Sequence, residues 1–158
     1  MKTHQVAIAL GGNLGDTEFI FHRALALLTD AGLASQRVSS WRRTAPVGCH
    51  PATPDFLNGA VVGEWGGTPE SLLETTQLIE QALGRPAVHD SQGSRTLDLD
   101  ILLFDDLRLS RPALTIPHPR MLKRRFVLEP LAEIAADWLI PGYGKTVRQA
   151  YQELDLTL

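Results

Sequence analysis

"DFLNGAVVGEWGGTPESLLETTQLIEQALGR", residues 55–85, is an apolar extended run that passes through two glycines straight into a helix. Phe56, Val61, Val62 and Trp65 suit a buried strand. Thr68 suits the N-cap, Pro69 the first turn and Gly84 the C-terminal stop. Leu72, Thr76, Ile79 and Leu83 recur at helical spacing and form its inner stripe. Upstream, "QVAIAL" (5–10) reads as a buried strand and "GGNLGD" as a turn. Asp16 can cap the helix that follows, where Ile20, Ala24, Leu27 and Leu28 mark the inner face. Residues 35–43 read as a strand, and Thr44 to Pro54 as a polar loop. Downstream, "RTLDLDILLF" (95–104) reads as a further strand.

The order β-α-β-β-α-β predicts an α+β fold, a ferredoxin-like antiparallel sheet with its helices on one face. After Asp105 the chain adds a hairpin and short helices near 127–135 and 146–154. Its 158 residues suit a single domain over 1–158.

A net charge of −3 and a sequence pI of about 5.9 argue against a nucleic-acid binder that works by neutralising phosphates. The lone cysteine, Cys49, allows no internal disulfide, so the chain reads as reduced and cytoplasmic. No apolar run approaches the roughly 20 residues that span a bilayer.

Asp98 and Asp100 interrupt an otherwise apolar strand. Carboxylates are costly to bury without partners. Strand alternation places Asp98, Asp100 and Leu102 on one face and Leu97, Leu99 and Ile101 on the other. Such a pair can converge on one or two cations; a solvated polar face is the alternative. Mg²⁺ favours one or two carboxylates completed by substrate phosphates and water. Arg85, Arg95, Arg124 and Arg125 flank the pair in sequence. Phosphoryl transfer needs positioning and charge neutralisation more than a covalent nucleophile. Taken singly, each arginine reads as solvated surface.

Alternation also puts Phe56 and Asn58 on one strand face. A ring for stacking beside an amide that both donates and accepts could read a flat heterocycle. The alternative is a core phenylalanine beside a turn-forming asparagine. His118 lies in "TIPHPRMLKRRF" (115–126) and could contact phosphate, though a lone loop histidine is commonly structural. "GYGKT" (142–146) is not a phosphate-binding loop, because Leu139 stands where the first glycine is needed. Cys49 and His50 lack partners at zinc-ligand spacing.

"RTLDLDILLF" and "TIPHPRMLKRRFVLEPLAEIA", with "ALGGNLGD", "WRRTAPVG" and "DFLNGAV" in order, resemble the 6-hydroxymethyl-7,8-dihydropterin pyrophosphokinase family of folate biosynthesis. The resemblance runs from about Ala7 to Leu139. It implies a ferredoxin-like fold, transfer of pyrophosphate from ATP to the pterin hydroxymethyl with release of AMP, and a monomer that needs neither nucleic acid nor membrane. By motif, Asp98, Asp100, Arg95 and Arg85 would be the catalytic set, with both aspartates binding two Mg²⁺ ions. Arg95 and Arg124 would hold phosphates and His118 would contact them. Gln77, Glu80, Ile101 and Thr115 would complete the nucleotide site. The pterin would lie between Phe56 and Phe126, its edge bonded by Asn58, Thr44 and backbone near Gly11, Pro46 and Val47.

Departures are Gly12 for a usual serine, Ala45 for a frequent proline, and Ala87 and Gln92 in an expected ATP-covering lid near 84–94. Arg125 is a candidate to replace an arginine absent at Ala87. Two other readings remain at this point. One is a nucleotidyl cyclase or polymerase-palm relative, which would release pyrophosphate. The other is a non-catalytic pterin or nucleotide binder.

Overall fold

The computed structural model describes residues 2–45, 54–84 and 96–157. Its main sheet is built from β1 (His4–Gly12), β2 (Ala34–Val38), β3 (Arg42–Thr44), β4 (Phe56–Trp65) and β5 (Asp98–Phe104). The strand order is β2-β4-β1-β5, with β3 also paired to β4, and every pairing is antiparallel. Helices α1 (Thr17–Ala31) and α2 (Pro69–Ala82) connect the strands as the ferredoxin-like order requires. A two-stranded hairpin, β6 (Leu109–Ser110) and β7 (Thr115–Ile116), follows the sheet. Then come a 3₁₀ turn (Met121–Lys123), α3 (Arg125–Ala135), a second hairpin of β8 (Leu139–Ile140) and β9 (Lys145–Thr146), and α4 (Val147–Thr157).

Alternation divides the apolar residues into two cores. Val6, Ile8 and Leu10 of β1 join Leu57, Leu99 and Ile101 beneath α1 and α2. Ala7, Ala9, Ala60 and Val62 join Leu102 and Leu128 beneath α3 and α4. The C-terminal helices therefore cover the sheet face opposite α1 and α2. β5 shifts register between the partners of Ala7 and Ile8, which skips Leu102. This bulge lets both Leu102 and Leu103 pack on the α3 face.

Local chemistry sets the helix ends. The Phe19 N–H donates to Asp16 Oδ1 at 3.2 Å, capping α1. Thr68 and Ser71 form a reciprocal capping box on α2, with Pro69 in its first turn. The expected stripe of α2 is buried at Leu72, Thr76 and Ile79, while Leu83 is half-buried against the same core.

The expected single strand over 35–43 is two strands. The Ser39 N–H donates to Ala60 O at 2.9 Å, but the returning Ala60 N–H goes to the Ser39 hydroxyl, also at 2.9 Å. A side chain thus replaces a backbone carbonyl in the ladder, and the backbone turns away there. Trp41 then folds its indole over Gly59 and meets Phe21 edge-on at 5.0 Å. The C-terminal helices start at Arg125 and Val147 rather than near 127 and 146.

Charge ties β3 to α3. Arg42 Nε lies 3.0 Å from Glu129 Oε1, and Ser40 donates to Glu133 through its N–H (2.9 Å) and hydroxyl (2.8 Å). The Tyr151 hydroxyl and then Arg125 and Arg42 hold Glu129 below its ordinary value of 4.5. Burial raises the Glu133 value, but Ser40 and Arg42 outweigh it and keep that carboxyl low too. Carboxyls lowered in the fold contribute stability that is present above about pH 4.5 and lost as pH falls through the lowered values. The Tm should therefore fall on acidification, and less steeply in the Glu129→Gln, Glu133→Gln double variant, as calorimetry between about pH 3 and 6 would record.

Candidate active site

One register row crosses the sheet at its β1 C-terminal end. Arg42 pairs with Asn58, Asn58 with Gly11, and Gly11 with Asp98. In the two rows that flank it on the same face, Thr44 pairs with Phe56 on one side, and Ala9 with Asp100 and Ala60 on the other. Opposed residues in an antiparallel pair project to the same side. The central strand contributes only Ala9 and Gly11 here, so a depression opens between the asparagine and the two aspartates. The start of α3 roofs it with Arg124, Phe126 and Val127, enclosing about 570 Å³.

Two aromatic rings, Phe56 and Phe126, line this cavity, and Phe126 is 41% exposed. The Arg124 guanidinium lies 5.5 Å from the centre of the Phe126 ring, within cation–π range. Asn58 is buried, and its Nδ2 donates to Thr44 Oγ1 at 2.8 Å. That bond fixes the amide plane and turns Oδ1 toward Gly11. The expected pairing of Phe56 with Asn58 on one face therefore holds, and Thr44 is the residue that orients the amide.

Asp98 is half-buried and Asp100 exposed, and both line the cavity. Asp100 also lines a second cavity of about 240 Å³, together with Ile101, Thr115 and His118. One carboxylate is thus common to both spaces. The His118 N–H donates to Leu102 O at 3.0 Å and seats the loop on β5. Burial first, then Arg124 and Arg120, lower the His118 pKa, while Asp100 opposes them. The net lowering favours the neutral imidazole. Its Nδ1 accepts the Arg120 N–H at 3.2 Å, so Nε2 carries the proton and is a donor.

Gln77 is exposed on α2 and lines neither cavity. Glu80, 7% exposed, accepts the Leu99 N–H on Oε2 at 2.8 Å and so grips β5 between the two aspartates. Sequence reasoning missed this anchoring role. It also missed Ala9, whose position two residues before Gly11 was a readable clue. Arg125 turns to Glu129 and lies 5.9 Å from the Tyr151 ring. Arg85, Arg95, Pro46, Val47 and nearly all of the expected lid lie outside the described residues.

A family model described as 7,8-dihydro-6-hydroxymethylpterin-pyrophosphokinase matches residues 7–136. The chain belongs to this pyrophosphokinase family. The match spans the sheet, both cavities and α3. Among pyrophosphokinase relatives, a 2-amino-4-hydroxy-6-hydroxymethyldihydropteridine pyrophosphokinase of Synechocystis sp. is 43% identical over 157 residues, 99% of this chain and 79% of its own. The Bacillus subtilis protein of that name is 48% identical over 128 residues, 80% of this chain and 75% of its own. The wild-type HPPK-DHPS of Plasmodium falciparum superposes with a TM-score of 0.73 at 15% identity, covering 96% of this chain and 43% of that one. That likeness supports the pyrophosphokinase fold. Among the described residues, no helix is long and apolar enough to cross a membrane.

Proposed function

We infer that this chain transfers the pyrophosphoryl group of ATP to the hydroxymethyl group of 6-hydroxymethyl-7,8-dihydropterin, releasing AMP, as a step of folate biosynthesis. The observation that carries the reading is the shared aspartate: Asp100 borders both an aromatic cavity with an oriented amide and a second cavity beside His118. A flat heterocycle fits the first space, between Phe56 and Phe126, with Asn58, Thr44 and backbone at Gly11, Pro46 and Val47 reading its edge. ATP belongs in the second, against Ile101, Thr115 and His118, with Leu73 on its α2 side. Glu80 acts from behind by holding the Leu99 N–H, and Gln77 stands outside both cavities.

The transfer makes a bond from the hydroxymethyl oxygen to the β-phosphorus and breaks the bond from that phosphorus to the α,β-bridging oxygen, which leaves on AMP. The hydroxyl proton passes to Asp98 or Asp100. Arg124 neutralises phosphate charge from the α3 side, and Arg85 and Arg95 do so from the segment before β5. The His118 Nε2–H donates to a phosphate oxygen. The donor set suits Mg²⁺: two carboxylates on one strand face, opening into a cavity that substrate oxygens would share. Asp98 and Asp100 would hold the two Mg²⁺ ions, which would supply neutralisation of phosphate charge when bound. The lone cysteine supports a reduced, cytoplasmic setting. Helices cover both faces of the main sheet, which fits a single catalytic domain; by the family resemblance it would act as a monomer.

Incubation with ATP, Mg²⁺ and the hydroxymethyl pterin, followed by nucleotide separation, tests the reading. AMP should form in step with pterin consumption and stop on chelation. Pyrophosphate or ADP as the nucleotide-derived product, or AMP that forms without pterin, would overturn it.

A further inference from the structure

We propose that Arg42 and Glu129 are positioning residues that set the width of the aromatic cavity, and through it the affinity for the pterin. The inference rests on the pyrophosphokinase reading of that cavity. The cavity has two walls built on separate elements. One is the sheet wall, with Thr44, Phe56 and Asn58 on β3 and β4. The other is the first turn of α3, with Arg124 and Phe126. Phe126 is partly exposed, so packing alone does not fix its distance from Asn58.

Arg42 bridges the two walls. It sits opposite Asn58 in the register, on the same face of the sheet, and two residues before Thr44. Its Nε lies 3.0 Å from Glu129 Oε1, one helical turn after Phe126. Its Nη1 lies 2.9 Å from Glu133 Oε1, one turn further on, in a charge contact off the hydrogen-bonding direction. One guanidinium therefore touches two carboxylates at i and i+4 on the helix that carries Phe126.

Glu129 is held from three directions. Its Oε2 accepts the Tyr151 hydroxyl of α4 at 2.6 Å and the Arg125 Nε and Nη2 at 3.2 Å each. The pairs are only partly exposed, with side chains of Arg42 at 30% and Glu129 at 27%, so solvent screens them less than a free surface pair. None of these groups lines the cavity. Their effect on substrate passes through where β3 holds Thr44 and where α3 holds Phe126.

Arg42→Met should raise the KM for the hydroxymethyl pterin about tenfold, with kcat and the KM for ATP held within about twofold. Arg42→Lys, which keeps the charge, should recover part of the loss. Glu129→Gln keeps acceptors for Tyr151 and Arg125 and gives a milder rise in a variant that folds if Arg42→Met does not. In a Phe126→Ala background, Arg42→Met should add little further, because the ring it positions is gone. A lowered Tm with an unchanged pterin KM would overturn the proposal and leave the network a stabilising clamp. Equal rises in both KM values, or full additivity with Phe126→Ala, would overturn it as well. Wild-type turnover is measured alongside, so a failure of the pyrophosphokinase reading shows separately.

Discussion

Asp98→Asn and Asp100→Asn each lower kcat by about three orders of magnitude while leaving the Tm within a few degrees: this is the expected result for a carboxylate pair that serves chemistry rather than folding. Neither side chain is fully buried, and both face the cavity at the end of β5. Asparagine preserves size and strand geometry but removes the charge that would hold a divalent cation. The two variants should differ in one respect. Asp100 acts on His118 to raise its pKa, against burial and two arginines. Its neutralisation removes that opposition, so the His118 pKa falls further, and proton NMR of the histidine ring would record it. A variant that keeps more than about a tenth of the wild-type rate with Mg²⁺ would rule out the metal-holding role.

Gly12→Ala is the second large effect, and it acts on the fold first. A Cβ at residue 12 would stand 2.5 Å from the Thr96 carbonyl oxygen and 3.2 Å from its carbon. Both are backbone atoms, so the β1 end or the approach to β5 must move. Overpacking of this kind destabilises by about 1–3 kcal/mol, which lowers the Tm by roughly 3–10 °C in a chain of this size. Thr96 precedes Asp98 by two residues, so turnover should fall with stability. Gly11→Ala is the internal contrast. Its Cβ would come no nearer than 3.7 Å to Asn58 Oδ1, an ordinary contact, and it would project into the cavity. That variant should melt like the wild type yet bind pterin more weakly. The same geometry favours glycine at position 12, because the segment leading into β5 packs directly against the backbone there.

The features that sequence alone revealed share one property: each depends on a short period. Alternation exposed Phe56 with Asn58 and Asp98 with Asp100, and helical spacing exposed Leu72, Thr76 and Ile79. Capping chemistry located Asp16 and Thr68 because those bonds close within three residues. What stayed hidden depends on distant partners. Ser39 looks like any strand serine until Ala60 takes its hydroxyl in place of a carbonyl. Glu80 looks like a solvent-facing helix residue until the Leu99 N–H arrives from 19 residues away. Arg42 and Glu129 are 87 positions apart, and no local pattern joins them. Leu102 could not be recognised as the bulged residue because its neighbours are equally apolar.

The break at Ser39 has a consequence for the protein among its own copies. An edge strand presents unpaired amides and carbonyls that can recruit another chain. Along this edge, β2 runs only over Ala34–Val38 and slips register between Ala34 and Arg37, with Ser35 at a φ of +53°. The chain then turns at Ser39, and β3 resumes for three residues. A neighbouring strand would find two short, differently angled pieces instead of one straight template. At the opposite edge, the Leu102 carbonyl is already taken by the His118 N–H. The same kink that aims Trp41 into the core and Thr44 at Asn58 thus guards the sheet against sticking to itself.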